Sequence, residues 1–258
     1  DLKTTPIDSC GTSVSLLGNT EDENTYVKPD LKQKWLIQYL NSRYYELPPH
    51  VTIKVRDFSN ADPANWPTSP DAEMGFRGSQ LRTIEGMRYY LEKYAESRGS
   101  VQLKNATAHW FLMPDGLNVS GGVWDEKCHV AALFQAELYD VKRLREARAE
   151  LISFGIIYGQ NRVVLYVEPD TTSLNVVANT ARSSLLVSDG ETGVPLPWAE
   201  WAAEFRSKMP QQIRTMMDQI LSRADTGNYA DEIKKRIQDV LELLKLARFR
   251  RTKTSSVR

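Results

Sequence analysis

The sequence predicts an α/β (α+β) fold: a two-layer sandwich with a mixed sheet, followed by a helical C-terminal region. Three observations predict it. Residues 129–169 hold an apolar run of strand character, a segment with helical spacing that ends at Gly155, and a β-branched run. Residues 51–58 alternate between apolar and polar. After Pro197, three segments follow a 3.6-residue period. Two strands joined by a helix of this length predict a right-handed βαβ crossover unit.

Before this unit, the chain predicts two helices and four strands, the last of which is short and covers residues 118–124. The Gly11-Thr12 pair predicts a turn that leads into a short strand, and Pro29-Asp30 predicts the start of a helix that Pro48-Pro49 ends. The alternating strand 51–58 comes next, followed by a long polar loop.

A second helix is predicted over about 80–98, with Gly99 as its stop. The segment 100–113 then predicts one strand with a bulge near Asn105, where the parity of its apolar positions changes. This order of elements favours a sheet covered by helices.

The C-terminal region predicts helices over 198–208, 210–224 and about 229–246, and ends in a basic tail. We therefore divide the chain into three parts. These are an N-terminal segment that ends in a helix (1–47), an α/β domain (48–190), and a helical region with the basic tail (191–258).

The composition excludes several classes of protein. The 258 residues include 33 basic and 33 acidic side chains, so no overall charge attracts nucleic acid or membrane. Two cysteines, Cys10 and Cys128, are too few for a disulfide scaffold and indicate a reducing, cytoplasmic location. No apolar run approaches the ~20 residues of a membrane helix. Because the chain starts at Asp1 rather than Met, we expect a fragment of a longer polypeptide.

Several residues have side chains of the kinds that form catalytic, metal-binding or nucleic-acid-binding sites. His50, His109 and His129 lack the spacing of metal ligands, so we predict no metal site among them. Glu137 and Asp140, with residues 125–127, allow a metal-dependent nuclease as a weaker alternative. No G-x-S-x-G elbow and no phosphate-binding loop with its lysine occurs. The six basic residues after Glu242 allow the tail to bind nucleic acid.

Two stretches carry a resemblance to a known family. Residues 11–18, GTSVSLLG, resemble the last nucleotide-binding box of the GHKL ATPases, the superfamily of gyrase, MutL, histidine kinases and MORC proteins. Residues 154–169, FGIIYGQNRVVLYVEP, and 179–182, NTAR, are similar to a pattern in bacterial GHKL-type proteins. The region from about 50 to 187 resembles the transducer domain of this family. The resemblance implies that residues 1–47 are the end of an ATP-binding domain with its linking helix, and that 48–190 are a transducer-like α/β domain.

This resemblance implies a set of roles. Gly11, Thr12 and Ser13 would bind the cofactor ATP, and Arg182 would be the catalytic residue that contacts its γ-phosphate, with Lys104 as a second candidate. Mg²⁺ would be bound by the upstream ATP-binding domain, because the acid-plus-asparagine box and the D-x-G-x-G box are missing from this chain. The chain alone would then not hydrolyse ATP.

Three hypotheses follow. The first is the transducer part of a GHKL-type ATPase that couples ATP binding and hydrolysis to homodimerisation or to a partner. The second is a non-enzymatic binding or assembly module that uses the helical end and the basic tail. The third is the nuclease, in which Glu137 would be essential.

Overall fold

The computed structural model describes residues 35–55, 81–118, 122–125, 127–188, 190 and 193–225. Within these residues the helices are α1 (Trp35–Arg43), α2 (Met87–Tyr94), α3 (Leu144–Ser153), α4 (Trp198–Ser207) and α5 (Gln211–Asp225). The strands are β1 (Lys54–Val55), β2 (Arg82–Thr83), β3 (Ser97–Gln102), β4 (Ala106–Leu112), β5 (His129–Phe134), β6 (Glu137–Arg143), β7 (Val163–Pro169), β8 (Val176–Ala178), β9 (Leu185–Ser188) and β10 (Gly193–Pro195). The mixed α/β class is confirmed.

A mixed five-stranded sheet forms the centre, with strand order β3-β4-β7-β5-β6. All neighbours are antiparallel except β5 and β7, which run parallel with His129 opposite Val164. The connection between the parallel strands includes β6, α3 and a short 3₁₀ helix at Gln160–Arg162. The parallel pair predicted around a helix is therefore present, with an additional strand inside the connection.

That additional strand corrects the sequence-based prediction of a single strand over the apolar run. The chain reverses at Gln135 and Ala136, whose φ angles are 51° and 63°, and Phe134 pairs with Glu137. Two positive φ angles in a two-residue loop define the type I′ hairpin turn that suits the twist of antiparallel strands. Residues 129–143 thus form a β5–β6 hairpin.

The predicted bulge near Asn105 is also a chain reversal. β3 and β4 form an antiparallel hairpin with Ser97 opposite Leu112, and the amide of Leu103 donates to the carbonyl of Ala106 at 2.8 Å. The second helix is shorter than predicted at both ends, because Arg82–Thr83 form β2 and the last predicted residues belong to β3. Gly99 lies within β3, where a Cβ atom would come 2.8 Å from the Trp110 ring.

Both faces of the sheet are covered, so the predicted two-layer arrangement is not confirmed. On one face, side chains of the sheet pack with α3, α4, α5 and the small β8–β10 sheet around Trp201 and Phe205. On the other face, Tyr166, Phe111 and Leu133 pack with α2 and Trp124. Because apolar side chains on both faces are buried, the hydrophobic effect stabilises the sheet on both sides.

α1 and α2 are joined by a buried polar contact. The Asn41 side chain is inaccessible to solvent, and its Oδ1 accepts hydrogen bonds from the amides of Glu85 and Gly86 at 3.0 and 3.1 Å. Its Nδ2 donates to the Val123 carbonyl at 2.8 Å. The amide of Met87, at the start of α2, donates to the Tyr44 carbonyl at 2.9 Å. These bonds satisfy groups at the first turn of α2 that the helix itself leaves free.

Candidate functional site

The residues predicted for nucleotide binding, Gly11, Thr12 and Ser13, lie outside the described residues, as do Cys10 and the basic tail. Arg182, Lys104 and Glu137 lie within them. The contacts of these three residues show which of them lie together.

Arg182 lies in the loop between β8 and β9, which an asparagine shapes. Asn179 Oδ1 accepts from the amides of Ser183 and Ser184 at 2.8 and 3.2 Å, and the Asn179 carbonyl accepts from the amide of Arg182 at 2.8 Å. Asparagine side chains form such local turns readily. The φ angle of Arg182 is 51°, in the left-handed region that non-glycine residues rarely adopt. Arg182 therefore has an uncommon backbone conformation that local hydrogen bonds fix.

Asp140 ties this loop to β6. Its amide donates to the Ser183 carbonyl at 2.9 Å, and its Oδ2 accepts from the amide of Leu185 at 3.0 Å. Asp140 itself has a φ of 50°. The loop that carries Arg182 is thus fastened to the edge strand of the central sheet.

The guanidinium of Arg182 joins a cluster with a second arginine. Arg182 Nη2 donates to Glu137 Oε1 at 3.0 Å and to the Tyr139 hydroxyl at 3.1 Å. Arg43, the last residue of α1, donates from Nη2 to Glu137 Oε2 at 2.5 Å and from Nη1 to the Leu138 carbonyl at 2.9 Å. Arg43 also lies over the Tyr139 ring, 4.2 Å from its centroid. We call Arg43, Glu137, Tyr139 and Arg182 the arginine cluster.

The electrostatics of the arginine cluster favour an anion. Burial alone would raise the pKa of Glu137, but hydrogen bonds from Arg182, Tyr139 and Arg43 outweigh burial and lower that pKa below its usual value. The Glu137 carboxylate therefore stays ionised at neutral pH. Two guanidinium groups then face one carboxylate, which leaves one positive charge in excess. The Arg182 side chain is 62% exposed, whereas that of Arg43 is 15% exposed.

Lys104, the second predicted phosphate ligand, lies at the opposite edge of the sheet. It belongs to the turn between β3 and β4, where its amide donates to Glu204 Oε2 at 2.8 Å. Three strand spacings separate β4 from β6, which is roughly 14 Å. The structure therefore does not bring Lys104 and Arg182 to one point.

The carboxylates considered for a nuclease serve other contacts. Asp125 accepts from Arg143 Nε at 2.6 Å, Glu137 belongs to the arginine cluster, and Asp140 holds the loop. Within the described ranges, no group of three or more His, Cys, Asp or Glu side chains is placed to hold a metal ion. The arrangement of these residues does not favour the nuclease hypothesis.

His129 is a buried structural residue. Its Nδ1 lies 2.8 Å from the Lys127 carbonyl, which can only accept, so Nδ1 carries the proton. Its Nε2 then accepts from the Tyr166 hydroxyl at 2.5 Å. Burial lowers the pKa of His129, so the neutral ring is the form that fits this site. The nearby Cys128 is a buried free thiol whose pKa burial raises.

A cleft of about 590 Å³ opens on the α2 side of the sheet. His109 and Glu168 line this cleft, with His109 Nε2 and Glu168 Oε2 2.9 Å apart. Arg88 also lines it and pairs with Glu46 at 2.6 Å and with Glu92 at 3.1 Å. Because these charges already pair with one another, the lining does not specify one class of ligand.

Two members of the arginine cluster, Arg43 and Tyr139, were not predicted from the sequence. Arg43 lies near the end of the helix predicted to stop at Pro48-Pro49, where a basic residue ordinarily interacts with the helix dipole. Tyr139 lies at the end of the apolar run that predicts a strand. Tyr139 follows Glu137 by two residues on β6 and so lies on the same face, while a bridge between Tyr44 and Glu137 brings the end of α1 beside them. The sequence carries no signal for that long-range bridge.

Comparisons with known proteins gave no match: no family model, no curated protein sequence and no solved structure is similar to this chain. No helix in the part of the chain that the structure describes is long and apolar enough to cross a membrane.

Proposed function

We propose that this chain is the transducing part of a GHKL-type ATPase, in which Arg182 contacts the γ-phosphate of ATP bound by an upstream ATP-binding domain. One observation carries the proposal. Arg182 is an exposed arginine whose loop is fixed by Asn179 and Asp140, and its guanidinium binds an anionic oxygen. The family resemblance around residues 154–182 supports the same assignment.

The donors of the arginine cluster suit phosphate oxygens. A guanidinium presents its N–H groups as a planar fork that matches phosphate, and charge-assisted hydrogen bonds are roughly twice as strong as neutral ones. Arg43, Tyr139 and Arg182 supply only donors toward Glu137. These groups do not fit Mg²⁺, which prefers oxygen ligands. In this proposal ATP supplies the phosphate charge, while Mg²⁺ belongs to the upstream domain.

The arginine cluster also provides a route from the phosphate to the rest of the chain. Arg182 is connected through Glu137 to Arg43 at the end of α1, and its loop is connected through Asp140 to β6. In the proposed division of the chain, α1 is the helix that links the ATP-binding domain to the transducer. A phosphate contact at Arg182 would favour one orientation of α1 and β6 over another, which is a population shift.

The test is ATP turnover by the complete polypeptide that contains this sequence. Arg182→Ala is expected to lower turnover by more than about tenfold, since an arginine that stabilises transferred phosphoryl charge contributes at least that much. Arg182→Lys keeps the charge but not the fork, so it should retain part of the activity.

Arg98→Ala is the matched control. Arg98 is also an exposed arginine, 50% exposed, and it pairs with Glu92 at the opposite edge of the sheet. Its removal should leave turnover unchanged. Normal turnover in a folded Arg182→Ala protein would exclude Arg182 from the site.

The proposal has three further parts. They are a homodimer, contact of the basic tail with nucleic acid, and a cytoplasmic location. The tail's positive charge and the two cysteines of the sequence support the last two.

A further inference from the structure

Glu137 lies where an anion bound to the arginine cluster would lie. Its carboxylate accepts from three donors: Arg43 Nη2 at 2.5 Å, Arg182 Nη2 at 3.0 Å and the Tyr139 hydroxyl at 3.0 Å. Carboxylate and phosphate oxygens are recognised by the same guanidinium geometry. A phosphate that uses Arg182 must therefore compete with a carboxylate that the chain itself provides.

The two arginines differ in how firmly they are held. Arg43 is mostly buried, donates a second hydrogen bond to the Leu138 carbonyl at 2.9 Å and stacks over the Tyr139 ring. Arg182 is mostly exposed, and a single nitrogen, Nη2, makes all its bonds to Glu137 and Tyr139. Arg43 keeps the Glu137 carboxylate in place, and Arg182 is the partner that can leave it.

We infer that Glu137 is an internal competitor for Arg182. Its carboxylate holds the guanidinium when no nucleotide is bound, and the terminal phosphate of ATP displaces it. When Arg182 moves to the phosphate, Glu137 remains neutralised by Arg43 and keeps its hydrogen bond from the Tyr139 hydroxyl. This inference rests on the proposed function, because the competing ligand is the phosphate of that site.

Competition of this kind lowers the apparent affinity by the fraction of molecules in which the binding group is free. Exposed ion pairs are weak, so Arg182 would be free in a substantial fraction of molecules. Removing the competitor should then tighten nucleotide binding by about two- to sixfold.

The experiment measures the dissociation constant of a non-hydrolysable ATP analogue on the complete polypeptide. Glu137→Gln removes the carboxylate charge at nearly constant size and should tighten binding by about two- to sixfold. Glu96→Gln is the matched control, because it loses the same charge and releases another arginine, Arg162, paired at 2.6 Å at the opposite end of the sheet. This control should leave the dissociation constant unchanged.

A double variant separates competition from a general charge effect. Glu137→Gln combined with Arg182→Ala should bind the analogue as weakly as Arg182→Ala alone. If the double variant binds more tightly than Arg182→Ala, the effect is general electrostatics and the inference is wrong.

The same series separates failure of the inference from failure of the proposed function. If Arg182→Ala binds the analogue as the unmodified protein does, the proposed function fails. If Arg182→Ala weakens binding but Glu137→Gln does not tighten it, only the inference fails. Should Glu137→Gln not fold, Glu137→Asp replaces it: the shorter carboxylate reaches Arg182 less well and should tighten binding, and no tightening would overturn the inference.

Discussion

Replacing Asn41 by alanine tests the joint between α1 and α2. The change removes one acceptor for two amides, those of Glu85 and Gly86, and one donor for the Val123 carbonyl. An unsatisfied buried polar group costs about 1–3 kcal/mol. The bond from Gly86 is buried, and the other two are partly buried, so water can compensate some of their loss. Alanine also favours the helix by about 0.5 kcal/mol. We expect a net loss of about 2–3 kcal/mol.

The assay is urea unfolding followed by tryptophan fluorescence, with the free energy of unfolding compared at equal slopes. Gln38→Ala is the control on the same helix, because Gln38 Nε2 donates a long, weak hydrogen bond of 3.5 Å to the Trp124 carbonyl. That variant should change stability by no more than about 0.5 kcal/mol. If Asn41→Ala costs no more than Gln38→Ala, the three hydrogen bonds do not hold the helices together.

Two other predictions concern His129 and Gly86. The folded protein lowers the pKa of His129 below its value of about 6.5 in the unfolded chain, so only the unfolded chain gains a proton as the pH falls from 6.5. Stability should therefore decline below about pH 6.5 by up to about 1.4 kcal/mol per pH unit, and His129→Gln should remove this slope in pH-dependent unfolding. Gly86→Ala should cost about 1–3 kcal/mol in thermal or urea unfolding, because φ is 81° and a Cβ would lie 2.8 Å from the Tyr45 carbonyl oxygen; an unchanged midpoint would contradict this.

The class of fold and the apolar runs of the central sheet could be predicted because apolar periodicity reports burial. The parallel strand at residues 163–169 is buried on both faces, and its near-continuous apolar run is typical of such strands. The helices α4 and α5 match their predicted ranges within two residues because each carries one apolar stripe.

The chain reversals could not be predicted from periodicity. Gln135 and Ala136 adopt positive φ angles without being glycine or asparagine, so the turn that divides β5 from β6 has no usual composition. The parity of the apolar positions changes near Asn105, but periodicity alone does not distinguish a bulge from the chain reversal that is present there. In each hairpin one strand also pairs with β7, and the local sequence does not report that pairing.

The candidate site was predicted only at Arg182. The NTAR pattern predicts a role for Arg182, whereas Glu137 is predicted only as a residue of the alternative nuclease site. Their contact joins residues 45 positions apart, and Arg43 lies a further 94 positions before Glu137. These residues meet only when the chain folds. No periodic pattern in the sequence indicates which of them come together.

The central claim, that nucleotide engages the Arg182 loop, is tested most directly by hydrogen exchange on residues 179–185. The complete polypeptide would be measured with and without a non-hydrolysable ATP analogue, alongside Arg182→Ala. A loop amide exchanges more slowly when its local opening is suppressed. We predict slower exchange in this segment with the analogue, and no slowing in Arg182→Ala. Unchanged exchange in the unmodified protein, under conditions where the analogue is bound, would contradict the claim.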